Sequence, residues 1–425
     1  MFEKLRQAWQ TKEVRNGLIF VIIMLVIFRV AANLPLPGID TAALRRLFDN
    51  NQVLGLLNMF SGGTIRNFSV VALGVAPYIT ASIIFQLLGM IVPRIEEIQK
   101  EGESGQRRIN HWTRLLTVPL AIIQSFSLFA LMRQSQVQIL TDTSALHIVA
   151  IVCAVTAGTV FLMWLGELIS EKKVGNGISL LIFAGIVASL PQSISQFLAT
   201  RTPGDFIVPL IYGAVALVTV LGVVFVNEGQ RNVPVQYARQ TRGAGTGMGG
   251  VATSLPLRVN MVGVIPIIFA ISLLILPTAV GQFFVNARLA WVAAAARWLI
   301  TIMQNQLIYG IAYFLLVVGF SYFYTAVIFH PDRIAENLQK HGGFVPGIRP
   351  GKTTAEYFQH VIQRITLGGA VFLGLIAVLP IIAQGFTGTQ TLALGGTSLL
   401  IVVSVVIESV KQIESQLTMR EYEAY

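Results

Sequence analysis

Ten predominantly apolar stretches, each close to the length of a membrane span, partition this chain of 425 residues and limit its fold more than any other feature. They are Leu18–Leu34, Val70–Val92, Leu115–Met132, Ile148–Ile169, Ile178–Leu198, Phe206–Val226, Met261–Phe284, Gln306–Phe329, Ile365–Ile382 and Leu392–Val410. A helix needs about 20 apolar residues to cross the hydrocarbon core. Inside that core the backbone has no water to bond, so only helices and closed barrels can cross it. A barrel would show short alternating segments, whereas these runs are continuous. The predicted fold is therefore an all-α polytopic membrane protein of ten transmembrane helices. Charged residues make up 12% of the chain, against roughly 25% in a soluble domain.

Basic residues divide unequally between the two sets of connecting segments. One set, which includes both termini, holds 22 of the 30 Lys and Arg residues. The other holds Arg45, Arg46, Arg66, Arg133, Arg201, Arg288 and Arg297, and Arg29 lies within the first stretch. The positive-inside rule then predicts that both termini are cytoplasmic. No small-residue cleavage site follows the first apolar run, so it is expected to be a retained span rather than a signal peptide. The stretches fall into two groups of five around Arg201–Asp205, giving halves 1–200 and 201–425. An odd number of spans per half inverts the second half relative to the first, the arrangement of an inverted repeat. The net charge of +10 suits anionic lipid headgroups or acidic partners.

Two long basic loops are predicted on the cytoplasmic side, at about 227–260 and 330–364. The first carries Arg239 and Arg242 in a glycine-rich tip, and the second sets Arg349 between Pro346 and Pro350. Topology alone needs charge there. Proline-braced presentation of an arginine favours a docking surface for a cytosolic partner.

The chain lacks carriers of enzyme chemistry. It contains no HExxH, GxSxG or Walker sequence, and its single cysteine, Cys153, excludes a disulfide framework. No catalytic residue, metal site or cofactor is expected. Coupled transporters carry paired acids, bases or histidines in mid-span. Here Arg29, Glu167 and Glu408 lie toward span ends, and all five histidines fall in loops or at span ends. The remaining alternative is a secondary transporter of a small solute, which the inverted count permits.

The second stretch carries Val75, Ile79, Ser82 and Gln86 on one helical face. Branched aliphatics give way along it to a hydroxyl and then an amide. The stripe fits either a constriction opening to a wet vestibule or an interhelical contact with a buried hydrogen bond. Before it runs "NMFSGGTIRNF", Asn58 to Phe68, too polar for lipid and too short to span.

Nine segments in order resemble the SecY family, the central subunits of the bacterial Sec protein-conducting channel. They are LPLPGID (34–40), NMFSGG (58–63), ALGVAPYITASI (72–83), EGESGQRR (101–108), FLMWLGELI (161–169), GNGISLLIFAGIVASLP (175–191), LPLRVNMVGVIPIIFA (255–270), FVPGIRPG (344–351) and GGTSLLIVV (395–403). The resemblance implies a pore that passes unfolded polypeptides and releases hydrophobic helices sideways. It implies a plug folded back into the outer funnel as a short helix, here Asn58, Met59, Phe60, Ser61, Gly62, Gly63, Thr64, Ile65, Arg66, Asn67 and Phe68. It implies an aliphatic pore ring at Val75, Ile79, Ile182, Ile268 and Ile401. A lateral gate between the second and third spans and the seventh and eighth would carry the polar residues Ser82, Gln86, Asn176 and Asn260. Arg349, with Arg239 and Arg242, would meet the SecA ATPase or ribosomal RNA. SecE and SecG are the implied companion subunits, signal sequences and nascent membrane helices the ligands, and the cytoplasmic (inner) membrane the location.

Overall fold

The computed structural model describes residues 9–37, 64–65, 67–134, 144–199, 207–237, 251–261, 263–285, 289–387 and 393–423. Each of the ten apolar stretches coincides with a helix. In chain order these are α1 (Lys12–Ala32), α2 (Ala76–Ile91), α4 (Glu103–Gln134), α5 (Ala145–Glu171), α6 (Gly177–Ala199), α7 (Ile207–Glu228), α8 (Ile265–Phe284), α10 (Gln306–Ile328), α12 (Lys352–Thr387) and α13 (Ala393–Glu423). Three shorter helices join them: α3 (Pro93–Lys100), α9 (Ala290–Gln304) and α11 (Pro331–Lys340). Among the described residues, five helices are long and apolar enough to cross a membrane alone, namely α1, α4, α5, α10 and α12. The pair α2 and α3 counts as a sixth, bent by 107° at its junction. The bend falls at Val92, which is extended (ψ 108°) before Pro93, because a residue preceding proline disfavours the helical region.

Nine of the ten long helices, all but α4, contribute buried residues to one apolar core. Phe28 of α1, Ile83 of α2, Leu162 and Leu165 of α5, Leu181 of α6, Ile267 and Ile271 of α8, Val317 of α10, Leu373 of α12 and Leu400 of α13 all belong to it. The outside is equally greasy: Ile22 and Val26 of α1, Leu217 and Leu221 of α7, and Leu307, Ile311 and Leu315 of α10 are exposed. Such a surface suits a hydrocarbon solvent. Lipid tails supply no hydrophobic drive between helices, so close approach of backbones matters. At Gly158 of α5 an added Cβ would strike the carbonyl of Val70, so this glycine is what lets the chain before α2 lie against α5.

The structure adds a feature to the all-α expectation. The two loops predicted at 227–260 and 330–364 build a three-stranded sheet from β1 (Gln230–Tyr237), β2 (Val251–Arg258) and β3 (Gly343–Phe344), in the order β2-β1-β3. All pairs are antiparallel, with Val233 opposite Leu255 and Gln236 opposite Phe344. Val233, Val235, Leu257, Leu338, Val345, Phe358, Val361 and Ile362 form a second, separate core beneath the sheet. The loops are thus one packed unit from the sheet, α11 and the first turns of α12.

Candidate functional site

All five predicted ring positions are buried. Val75 caps the N-terminus of α2, Ile79 lies in its first turn, and Ile182, Ile268 and Ile401 come from α6, α8 and α13. Their exposures are 3%, 5%, 2%, 5% and 2%, and all five sit in the main apolar core. None faces the outside, where lipid would be. Branched aliphatic side chains offer an ion no ligand, and a narrow apolar neck excludes it by dewetting. They also make no directional demand on a polymer passing between them.

The chain entering α2 is irregular backbone held inside protein, the only place such backbone survives at membrane depth. Residues 67–75 are turns or a single bridge rather than helix, so α2 starts at Ala76 and not at Val70 as the apolar stretch predicted. Gly74 is the cause: its φ of 57° is left-handed, which breaks a right-handed helix, and Pro77 then suits the first turn. Among the plug candidates, Thr64, Ile65, Asn67 and Phe68 are described and are turns, not helix. Asn58 to Gly63 and Arg66 lie outside the described residues. Thr64 and Phe68 are buried. The Thr64 hydroxyl donates to the Ala72 carbonyl (3.1 Å) and the Ser69 amide to the Thr64 carbonyl (3.2 Å). Leu36 and Val70 amides bond the carbonyls of Phe68 (3.0 Å) and Leu34 (3.1 Å), tying the segment to the end of the first span.

Hydrogen bonds among the described residues do not link the four polar gate candidates into one network. Gln86 donates to Ser82 one turn earlier (3.1 Å) and accepts a hydrogen bond from the Tyr324 hydroxyl of α10. That second bond bridges the second and eighth apolar stretches. Tyr324 is set by an aromatic group, with Phe269 of α8 edge-on at 5.2 Å and Phe323 at 6.1 Å. Asn176 instead precedes α6, where its side chain accepts from the Ser179 amide (3.2 Å), a helix cap. Asn260 closes a turn with Gly263 and donates to Asn227 (2.6 Å), which donates to Ser404 of α13 (3.0 Å). Neither bonds to Gln86: Asn176 caps its own helix, and Asn260 joins a local turn to α7 and, through Asn227, to α13. Sequence reasoning missed Tyr324 and its aromatic neighbours, although the density of rings in "YFLLVVGFSYFYT", Tyr313 to Thr325, is visible.

Arg349 is exposed at the tip of the sheet unit. Left-handed Gly347 (φ 83°) and Gly351 (φ 103°) flank it. Its carbonyl accepts from the Thr354 hydroxyl (2.8 Å), the Ile348 amide bonds the Val345 carbonyl (3.1 Å), and Val345 is buried in the second core. The backbone is fixed while the guanidinium is presented. Arg239 and Arg242 lie outside the described residues. Of the three charges near span ends, Glu167 pairs with Arg114 at 2.6 Å. Among the described residues, no group of three or more His, Cys, Asp or Glu could hold a metal ion.

A family model described as SecY matches residues 69–410. The chain is 42% identical over 444 residues to the protein translocase subunit SecY of Streptomyces galbus, covering 100% of both chains. Its fold is similar to a solved structure described as a protein-conducting channel (TM-score 0.65, 18% identity, 93% of this chain and 91% of the other). It is similar too to a structure of SecY whose plug domain is described as stabilising the closed channel (TM-score 0.64, 19% identity, 93% and 91%).

Proposed function

Because the chain belongs to the SecY family, we propose that its buried aliphatic ring is the closed neck of the polypeptide path. The protein is the pore-forming subunit of a Sec-type translocon and not an enzyme. One observation carries the ring assignment: five branched aliphatics from four separate helices and a cap are co-buried in one core. The ring works as a gasket that shuts out ions and parts around any peptide sequence. The segment 58–68 serves as its stopper.

The spans number ten, in inverted halves 1–200 and 201–425, with both termini cytoplasmic in the inner membrane; the connection Arg201–Asp205, the expected hinge, lies outside the described residues. The ten helices on the ten apolar stretches and the bias of basic residues support this. Lateral release occurs between α2 and α4 on one side and α8 and α10 on the other. The Tyr324–Gln86 bond supports it, since it joins those two sides. A signal helix partitioning into lipid displaces this contact. Arg349 on its braced tip receives SecA, or the phosphates of ribosomal RNA, and SecE and SecG stand beside the chain.

A photoreactive residue placed at Ile79 or Ile401 tests the path. It should capture a stalled precursor in vesicles supplied with SecA and ATP. Capture of lipid instead, or uptake of a small solute driven by an ion gradient, would refute the pore and favour a transporter.

A further inference from the structure

Helix α9, with 15 residues, is too short to be an apolar span. Its level follows from connectivity. Helix α8 begins beside the sheet and α10 returns to it through α11, so α9 joins their far ends at the opposite membrane face. One side of α9 is packed: Ala296 is buried, and Gly281 of α8 lies against Ile300 and the Ala296 carbonyl. The other side is bare. Trp291 and Trp298, two turns apart and so on one face, are 72% and 68% exposed. Arg297 is exposed beside them. From Val285 to Asn305 the sequence holds Arg288 and Arg297 and no acidic residue. Beyond the break at Asn305, the exposed apolar side continues as Leu307, Ile311 and Leu315 on α10, the hydrocarbon-facing surface of that helix.

We propose that α9 is an interfacial helix seated in the lipid headgroup layer, with Trp291 and Trp298 entering the acyl boundary and Arg297 meeting lipid phosphate. Indole rings flanked by a cation are the side chains that settle at this boundary. A crossing orientation fails on length, since 15 residues reach about 22 Å of the roughly 30 Å needed. Continuity with the lipid-facing side of α10 selects lipid over a protein partner. The inference takes from the function proposed above that α8 and α10 both cross the membrane, and which leaflet is meant. There it ties the outer ends of the two helices on one side of the gate to the outer leaflet.

The test uses the full chain with Trp9→Phe, Trp112→Phe and Trp164→Phe, in phosphatidylcholine–phosphatidylglycerol vesicles. Lipids brominated near the headgroup should quench the two remaining indoles more than lipids brominated near the acyl terminus. The rings should lie about 5–10 Å below the headgroup plane. Aqueous iodide should have little effect. Quenching by iodide but not by lipid bromine would overturn the proposal, as would strongest quenching from the deepest bromines. If the triple variant fails to fold, the emission lost between the native chain and its Trp291→Phe/Trp298→Phe variant reads the same depth.

Discussion

Replacing Tyr324 with Phe deletes one hydroxyl and keeps the ring. The edge-on contact with Phe269, 5.2 Å between centroids, survives, while the bond to Gln86 is lost. An interhelical hydrogen bond in a membrane is worth about 0.6 kcal/mol on average and up to about 1.7. With tenfold per 1.4 kcal/mol, gate opening should become about 3-fold more favourable, and at most about 16-fold. A strongly hydrophobic signal helix already overcomes such a cost, so the gain appears only with a weak one. The assay is SecA-driven import into vesicles of two precursors that differ in signal hydrophobicity. Tyr324→Phe should raise import of the weak-signal precursor about 3-fold and leave the strong one unchanged. Gln86→Ala should act in the same direction, and the double variant should add little to either single change, because both remove one interaction. Fully additive effects, or unchanged import of the weak precursor, would refute a latch between α2 and α10.

Arg349→Glu should reduce SecA-driven import at least about tenfold, since like charges at a docking surface cost several kcal/mol, while co-purification with SecE and SecG is unchanged; normal import would remove Arg349 from the docking surface. Deleting residues 58–68 should raise ion conductance in planar bilayers, and an unchanged conductance would remove that segment from the seal. Gly158→Val should destabilise the bundle by about 1–3 kcal/mol, because its Cβ meets the Val70 carbonyl rather than a side chain that can yield; a thermal scan in detergent with no fall in midpoint would show that the chain before α2 moves aside at little cost.

Each apolar stretch holds a helix because lipid imposes one rule on every span, and that rule depends on residue type rather than on partners. The start of α2 escaped it because Gly74 breaks a stretch whose hydropathy continues unbroken. The sheet escaped because Pro234 interrupts the alternation of Val233 and Val235, and proline argues against a central strand. The register shows how it fits: β3 pairs only with Gln236 and Tyr237, so Pro234 has no neighbour on that side. Asn176 and Asn260 look alike as polar residues near span ends. Their roles differ: Asn176 caps its helix through the Ser179 amide, while Asn260 closes a turn at the left-handed Gly263 and also bonds Asn227 of α7. Tyr324 needs a partner 238 residues away, a pairing that no local pattern encodes.

Helix α12 runs 36 residues without a break, about 54 Å at 1.5 Å per residue. Phe358, Val361 and Ile362 near its start are clamped in the core under the sheet, and Leu373, Ile376 and Ala377 further along are clamped in the bundle. Val259, just past β2, bears on its Gly369. If the Arg349 tip is a docking surface, as proposed, a partner there would bear on the near end of a helix whose far part packs beside α10 and α13. One continuous helix therefore links the core under the sheet to the core of the bundle.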